Sequence, residues 1–321
     1  MNQSIKILIL LLFAPLALAA TDTEQPRTVR VIYLVSADRE ENPEYTAAVE
    51  HAIRDIQKWY GKQLGGPTFR LSDPVVDVVK SRQRAEWFYA HPNGRGKDNW
   101  GFNNSLQEAR RLLDAKFNDP DHVWVIYSDG PGDKGRAGNG VAVLPENDLL
   151  GLVGKHPQQK NKLRWIAGLG HEIGHAFFLP HPSDTKQHAD AIMWAGIYGK
   201  YPDQTYLTES DKKILLRSSF FYHPDDRPVF QKGKVVSRVT FGGGAFEQLA
   251  GEPPILWLES KTNGGASYFF EELRRDEEFI YLHDVTRKFT IRLPLAGGRS
   301  FLSRNAEKSW QPLYTVSPPK Q

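Results

Sequence analysis

The segment 171–181, HEIGHAFFLPH, has residue types and a spacing suited to metal-assisted hydrolysis. Residues four apart share one face of an α-helix, so His171 and His175 can direct their imidazoles at a single ion. Glu172 lies about 100° around the same turn, where it can act as a base on a water molecule beside the ion. The spacing therefore predicts a catalytic Zn²⁺ site in which Glu172 is the catalytic residue.

A third histidine follows at the point where the helix must end. Pro180 has no amide hydrogen, its ring clashes with the carbonyl of Ala176 in a continued helix, and it disfavours the helical conformation at Leu179. The chain is then expected to turn near Phe178 and to bring His181 back to the ion. Three protein nitrogens and one water form the open tetrahedral arrangement of catalytic zinc. If another residue is the third ligand, the candidates are Asp184, His188 and Asp190.

This segment resembles the metzincin zinc-peptidase signature H-E-x-x-H-x-x-G-x-x-H. Metzincins also have a Met-turn, a tight turn whose methionine forms a hydrophobic floor beneath the ligands, and residues 190–196 read DAIMWAG. The resemblance implies that Met193, the only methionine besides the initiator, is this Met-turn residue. It also implies a secreted bacterial zinc endopeptidase with His171, His175 and His181 as metal ligands.

The chain departs from the metzincin pattern at two positions. Phe178 stands where the signature has glycine, so we expect a turn of different shape, with Pro180 enforcing the change of direction. Ala195 stands two residues after the methionine, where some metzincins have tyrosine. Assistance by a tyrosine would then have to come from Tyr198 or Tyr201, although an ordinary surface or core role is expected for both.

The N-terminus and the composition define the cellular context. Residues 1–20 combine an early lysine, an apolar run and small residues near Ala19, which predicts a signal peptide and a periplasmic or extracellular protein. The chain has no cysteine, so a disulfide framework and cysteine-based zymogen latency are excluded. With 41 basic and 38 acidic residues, we expect neither nucleic acid nor a membrane as partner, but a peptide or protein substrate and a monomer.

Hydrophobic patterning predicts an α+β fold with a twisted, mostly parallel sheet in residues 27–225. The predicted elements, in order, are strand 29–35, helix 43–64, extended 67–80, helix 105–117, strand 122–127, strand 138–144, zinc helix 162–177, and a helix capped by Thr208 and Asp211 that runs to Phe221. In the zinc helix, Leu163, Ala167, Gly170, Gly174 and Phe177 form a predicted core-facing stripe. Its glycines, Gly168 among them, are expected to permit close approach of neighbouring backbone.

Gly138–Leu144 (GNGVAVL) has a second interpretation, which follows from the metzincin resemblance. In metzincins a strand at this point borders the cleft, and extended substrate pairs with it through backbone hydrogen bonds. We assign the substrate-binding role to Gly140, Val141, Ala142 and Val143; a plain structural edge strand has the same composition. The preceding loop contains Asp129 and Asp133. A Ca²⁺ ion there is unsupported, since the regular spacing of an EF-hand is absent, and we expect a solvated glycine loop.

Residues 229–317 are predicted to form a small all-β accessory domain, an antiparallel β-sandwich or barrel, because short alternating segments recur between turn signals. Its aromatic residues, which fit core packing better than sugar stacking, are Trp257, Tyr268, Phe269, Phe270, Tyr281 and Trp310.

Three other functions fit the sequence. A gluzincin-like enzyme would use a downstream acid as third ligand; a glycan- or protein-binding module would carry a vestigial zinc site; and a zinc amidase would act on a non-peptide substrate of the cell envelope. The intact Glu172 argues against a vestigial site, whereas Phe178 argues mildly for it.

Overall fold

The computed structural model describes residues 27–225, 235–249, 255–262, 268–284 and 287–320. The predicted signal peptide, residues 1–20, lies outside these ranges. The chain has a mixed α+β fold, with a layered N-terminal part followed by a closed antiparallel β-barrel, as predicted. Among the described residues, every helix is too short or too polar to cross a lipid bilayer.

The N-terminal part alternates strands and helices. Its strands are β1 (Thr28–Val35), β2 (Thr68–Lys80), β3 (His122–Ser128), β4 (Arg136–Gly138), β5 (Val141–Leu144) and β6 (Phe221–Tyr222). Its α-helices are α1 (Pro43–Gln63), α2 (Ala85–Ala90), α3 (Trp100–Leu113), α4 (Glu146–Leu152), α5 (Lys162–Ala176) and α6 (Glu209–Leu215). Two short 3₁₀ turns lie at Lys97–Asn99 and Ala195–Ile197.

Helices α3 and α6 differ in length from the prediction. Helix α3 begins at Trp100 instead of Ser105, and it ends where Asp114 adopts a left-handed conformation with φ of 58°. Helix α6 has the predicted capping box, in which the Thr208 side chain accepts from the amide of Asp211 and the Asp211 carboxylate accepts from the amide of Thr208. It ends at Leu215, short of the predicted Phe221, which is paired with Phe69 in the sheet.

The N-terminal sheet has the strand order β4-β5-β3-β1-β2-β6. Strands β5, β3, β1 and β2 are parallel, and the short strands β4 and β6 run antiparallel at the two edges. Along β1, Val31 and Tyr33 face the core under α1 and α5, whereas Ile32 and Leu34 face the core under α2 and α3. Both faces are covered, which explains the buried apolar run 31–35 in β1.

The segment Gly138–Leu144 is a hairpin and not the single strand predicted. Asn139 and Gly140 form its turn with φ of 53° and 83°, which suits the Asn-Gly pair. Strand β5 pairs with β3 on one side and β4 on the other. The predicted substrate-binding role of Gly140, Val141, Ala142 and Val143 is therefore wrong, because that strand is already paired on both sides and Gly140 lies in the turn. The edge of the sheet is β4.

The C-terminal part is a closed barrel of eight antiparallel strands with the order β10-β11-β12-β13-β14-β7-β8-β9. These are β7 (Val235–Phe241), β8 (Gly244–Leu249), β9 (Leu256–Lys261), β10 (Tyr268–Arg275), β11 (Phe279–Asp284), β12 (Phe289–Pro294), β13 (Gly298–Ser303) and β14 (Gln311–Val316). Of the six aromatic residues predicted to pack in the core, Trp257 and Phe270 lie in it and Tyr268 is partly buried against it. Closure gives each of these eight strands two neighbours.

The barrel packs directly against the N-terminal part. Leu249 and Leu256, at the facing ends of β8 and β9, belong to the same buried cluster as the residues of α1 and α5. Phe269 on β10 is partly buried against this cluster. Ser210 on α6 also donates a hydrogen bond to Glu271 on β10, with an Oγ–Oε1 distance of 3.1 Å. The two parts therefore share one continuous apolar core.

Candidate metal centre and cleft

Glycines let α5 lie close to its neighbours. A Cβ atom on Gly170 would lie 2.7 Å from a methyl carbon of Ile56, and one on Gly174 would lie 2.4 Å from the sulfur of Met193. These close contacts are with side chains of α1 and of the segment that carries Met193, so the expectation that the glycines admit neighbouring backbone is wrong. Leu163 was predicted in the core-facing stripe but is 42% exposed, so the stripe begins at Ala167.

The three histidines of the motif converge at the end of α5. The Nε2 atom of His175 lies 3.1 Å from Nε2 of His171 and 3.1 Å from Nε2 of His181. One nitrogen from each ring lies within 4.8 Å of the other two, and no other group of three potential ligands occurs in the described ranges. The turn after α5 thus brings His181 back toward the two helical histidines, in accordance with the sequence argument.

Backbone carbonyls fix the orientation of two of these rings. Nδ1 of His171 lies 2.8 Å from the carbonyl of Ile192, and Nδ1 of His175 lies 2.8 Å from that of Leu179. A carbonyl accepts only, so each Nδ1 carries the proton and each Nε2 presents a lone pair. Tetrahedral zinc with bonds of about 2.0–2.1 Å would separate its ligand atoms by about 3.3–3.4 Å. The donor set and its spacing therefore fit Zn²⁺.

The electrostatic surroundings keep these histidines neutral at physiological pH. Burial lowers the pKa of His171 to about 4 and that of His175 to about 3. The pKa of His181 is also lowered, first by burial and then by the charge of Lys288, which reaches the site from the barrel. Neutral imidazole is the form that binds a metal ion.

The alternative third ligands are engaged elsewhere. Asp184 accepts hydrogen bonds from the backbone amides of Lys186 and Gln187, and Nδ1 of His188 lies 3.2 Å from the hydroxyl of Tyr206. Asp190 forms an ion pair with a lysine, Lys200. Only His181 of the four candidates joins the group formed by the helical histidines.

Phe178 adopts the left-handed backbone conformation that glycine provides in the metzincin signature. Its φ is 70°, so the expectation of a differently shaped turn is wrong. This conformation costs a residue with a side chain about 1–2 kcal/mol relative to glycine. The strain is compensated by hydrogen bonds from the amide of Phe178 to His175 and from the amide of Leu179 to Gly174, which tie the turn to the helix.

Glu172 points into a confined space beside the histidines. A Cβ atom on Gly135 would lie 3.0 Å from its Cγ, so the chain immediately before β4 passes directly over this side chain. Burial raises the pKa of Glu172 to about 8, with a further contribution from the Asp148 carboxylate. The charges of Arg136 and Arg164 act in the opposite direction. Glu172 is thus held as a weakly acidic carboxyl group, a property suited to accepting and returning a proton.

Asp148, on the first turn of α4, is a buried carboxyl group that the sequence did not single out. It is 5% exposed, and its Oδ2 atom has no hydrogen-bond partner among the described residues. Burial raises its pKa to about 7 from 3.8, and the charge of Arg164 offsets part of this effect. Since the pKa is raised on folding, ionisation of Asp148 opposes folding. The cost is nearly absent below pH 4, grows as the pH rises, and is complete above pH 7.

We therefore expect Asp148→Asn to stabilise the protein at pH 8 by on the order of 1–4 kcal/mol and much less at pH 4.5. The measurement is urea unfolding of both proteins at the two pH values, with chelator present so that metal binding does not contribute. Asp98→Asn, at a carboxylate whose side chain is 75% exposed, is the matched control. An equal difference in stability at both pH values would contradict the assignment of a raised pKa to Asp148.

The residues of the predicted Met-turn lie beneath the histidines. Met193 is fully buried, and its sulfur packs on Gly174. The next residue, Trp194, is 39% exposed, and its ring centroid lies 5.3 Å from that of His181. Of the two tyrosines considered above, Tyr201 is buried and packs on Trp59, whereas Tyr198 is 64% exposed and stacks on an arginine. Both have the ordinary core and surface environments expected.

The loop that precedes β4 is only partly solvated. Asp129 is 1% exposed and accepts hydrogen bonds from the amide and hydroxyl of Ser36, so the expectation of a solvated loop is wrong at this residue. Within the described ranges, neither Asp129 nor Asp133 belongs to a group of potential metal ligands.

The site opens into a cleft bordered by β4. Among the strands that the structure describes, none pairs with the outer edge of β4. A cavity of about 620 Å³ lies at the Arg136 end of this strand, and another of about 280 Å³ lies at the Gly138 end, beside His175. A third, of about 260 Å³, adjoins His181. The cleft thus combines a free strand edge with side-chain cavities on both sides of the histidines.

Several residues at the cleft were not predicted from the sequence. Arg136 and Asp148 act on Glu172 through their charges, and Tyr268 and Arg287 of the barrel line the cavity beside His175. Phe178, which also lines this cavity, differs from them, because the sequence marks it as a replacement for the glycine of a recognisable motif.

Comparisons with known proteins add little. No family model matches the chain, and no curated protein matches it. Wild-type OgpA from Akkermansia muciniphila is similar at 17% identity, with 91% of this chain and 92% of that chain covered and a TM-score of 0.46. Catalytically inactive OgpA in complex with an O-glycopeptide (glycodrosocin) substrate is similar at 16% identity, with 91% and 93% covered and a TM-score of 0.45. Similarity at this level supports no functional conclusion, and the function must be inferred from the site itself.

Proposed function

We propose that this chain is a zinc-dependent endopeptidase of the metzincin type. The observation that carries the proposal is the convergence of the Nε2 atoms of His171, His175 and His181 next to Glu172, below a free strand edge. Metal ligands, a general base and a backbone-binding edge are the three components that peptide-bond hydrolysis requires at one place.

The three histidines would hold Zn²⁺ through Nε2, in an arrangement supported by their carbonyl-bonded Nδ1 atoms. When bound, the ion would supply Lewis-acid chemistry, since zinc lowers the pKa of a water molecule and polarises a carbonyl group. Met193 would form an apolar floor that keeps the helix and the His181 turn at a fixed distance.

Glu172 is the proposed general base and acid. Its carboxylate would accept a proton from the attacking water and then return the proton to the leaving amine. The close passage of Gly135 over Glu172 holds the carboxyl group in place and limits access of bulk water to it. The neighbouring carboxyl of Asp148 raises the pKa of Glu172 and so supports the first of these steps, in which Glu172 accepts the proton.

Strand β4 is the proposed docking edge for substrate. An extended peptide that adds to its outer edge gains backbone hydrogen bonds without requiring a particular side chain. The strand spans only Arg136–Gly138, so side-chain cavities must supply the remaining affinity.

The other functions have less support. A gluzincin-like third ligand is disfavoured because Asp184 and Asp190 are bonded elsewhere. A vestigial site would not be expected to retain an intact carboxylate beside three converging histidines. A free strand edge favours a peptide over a non-peptide amide. Residues 1–20, outside the described ranges, support export to the periplasm or the extracellular space.

Digestion of a diverse peptide library by the zinc-loaded protein tests the proposal. We expect internal cuts that disappear when a chelator removes the metal and return on addition of Zn²⁺. A mock preparation purified in parallel controls for contaminating proteases. Cuts that survive chelation, or an absence of cuts despite one bound Zn²⁺ per chain, would refute the proposed function.

A further inference from the structure

The cavity beside His175 is built by both parts of the chain. Its volume is about 280 Å³, and it opens between the Gly138 end of β4 and the turn that follows α5. The N-terminal part contributes Asn139 and Phe178, and the barrel contributes Tyr268, Phe269 and Arg287. We call this space the aromatic chamber, because Phe178, Tyr268 and Phe269 are among its eleven lining residues.

Phe178 lines the chamber, and its backbone has a conformation that favours glycine. With φ at 70°, glycine would satisfy the backbone there without strain. Unusual backbone conformations in residues with side chains concentrate at functional sites. The ring of Phe178 is only partly buried and faces the chamber, so packing in the core does not account for it. A ligand that contacts the ring would account for it.

The barrel wall of the chamber is held rigidly. The guanidinium of Arg287 lies 3.6 Å from the ring centroid of Tyr268, and its Nε donates to the carboxylate of Asp284 at 2.6 Å. The same guanidinium also lies 4.6 Å from the ring centroid of Phe289. Stacking and the ion pair therefore fix both Tyr268 and Arg287, as expected for a preformed binding wall.

The charges around the chamber indicate which ligands it can accept. Arg287 lies beside Asp284, and the carboxylate of Glu259 lies 3.9 Å from its Nη2. Two carboxylates surround one guanidinium, so an acidic side chain is disfavoured there. Aromatic rings prefer edge-to-face contact with other rings, which favours an aromatic side chain over an aliphatic one of equal area by up to about 10-fold.

The direction of β4 indicates which part of a substrate reaches the chamber. The chain runs from Gly135, next to Glu172, to Gly138, which lines the chamber beside His175. An antiparallel partner is the more stable addition to a strand edge. Such a partner runs the opposite way, so the residues that precede the cleaved bond lie toward the chamber.

Resting on the proposed function, we propose that the aromatic chamber is a substrate subsite for an aromatic side chain at one of the two positions before the cleaved bond. The β-barrel is then a part of the substrate-binding cleft, since Tyr268 supplies one of its walls.

The test is the cleavage of matched peptides by the zinc-loaded full-length chain. We expect kcat/KM to be about 10- to 100-fold higher for a peptide with an aromatic residue at the preferred position than for its alanine analogue. The Phe178→Gly substitution suits the local backbone. It should lower kcat/KM for the aromatic peptide about 10-fold and change kcat/KM for the alanine analogue less than 2-fold. Tyr268→Ala should act in the same direction, and zinc content should stay constant.

Leu273→Ala is the matched control, at a residue of β10 that is 48% exposed and does not line the chamber. A purely structural role of Phe178 would lower cleavage of both peptides equally, and this result would overturn the proposal. The proposal would also be overturned if the enzyme shows no preference for aromatic residues, or if it prefers them only at positions that follow the cleaved bond.

Calorimetric binding of the same two peptides to the Glu172→Gln variant separates this inference from the proposed function, because it requires no cleavage. The subsite would be supported if Glu172→Gln binds the aromatic peptide more tightly and if the double variant Phe178→Gly/Glu172→Gln loses this preference. This result would hold even if the chain cuts neither peptide. Equal binding of both peptides would overturn it.

Discussion

Glu172→Gln is expected to lower kcat for peptide cleavage by about 10²–10⁴-fold while zinc stays bound. The amide has nearly the shape of the carboxylate and still fits beneath Gly135, but it cannot accept a proton from water. The three histidines are unchanged by this substitution, so the metal site should be retained. The measurement combines steady-state kinetics on a peptide identified by the library with zinc content by atomic absorption.

Glu209→Gln is the matched control, since Glu209 lines the cavity next to His181 but its side chain is 71% exposed. It should retain the activity of the wild type. If Glu172→Gln keeps full activity with its zinc in place, another residue acts as the base. If it loses zinc, Glu172 has a role in the metal site that the geometry does not indicate.

His181→Ala is expected to weaken zinc binding by at least about 100-fold. Loss of a partner that only orients a ligand already costs 10- to 100-fold in metal affinity, so loss of a ligand should cost at least as much. The helix would keep His171 and His175, because both are anchored by carbonyls independently of His181. Competition with a chromophoric chelator measures the affinity.

His188→Ala serves as the comparison, because His188 is the nearest alternative histidine and is bonded to Tyr206 instead. It should bind zinc as tightly as the wild type. Unchanged affinity in His181→Ala together with a loss in His188→Ala would transfer the third-ligand role to His188.

The convergence of the three histidines was predictable because its geometry is mostly local. The spacing of His171 and His175 follows from helix periodicity, and Pro180 ends the helix soon enough for His181 to return. The strand β1 and the capping box of α6 were predictable for the same reason. These features depend on residues within one or two turns of each other.

The errors arose where local patterns had two solutions. The apolar run that ends at Leu144 fits one strand or the second strand of a hairpin, and the Asn139–Gly140 pair is the turn signal that favours the hairpin. Phe178 was expected to avoid a left-handed backbone on steric grounds, yet the hydrogen bonds of the turn enforce that conformation.

The remaining features depend on contacts that are distant in sequence. Tyr268 and Arg287 reach the cleft only because the barrel closes and packs on β4 and α5, and no pattern around either residue reports this. The effect of Asp148 on Glu172 likewise arises when α4 packs against α5. Such contacts are set by the tertiary fold, which periodicity and capping do not encode.

The core shared through Leu249 and Leu256 has a consequence for how the chain denatures. Loss of the barrel would expose apolar surface under α1 and α5, and loss of the N-terminal part would expose the facing ends of β8 and β9. If one part unfolds, the other part is destabilised, because its apolar surface becomes exposed to water. The two parts should therefore unfold as a single cooperative unit, and damage to the barrel should disturb the arrangement of the three histidines.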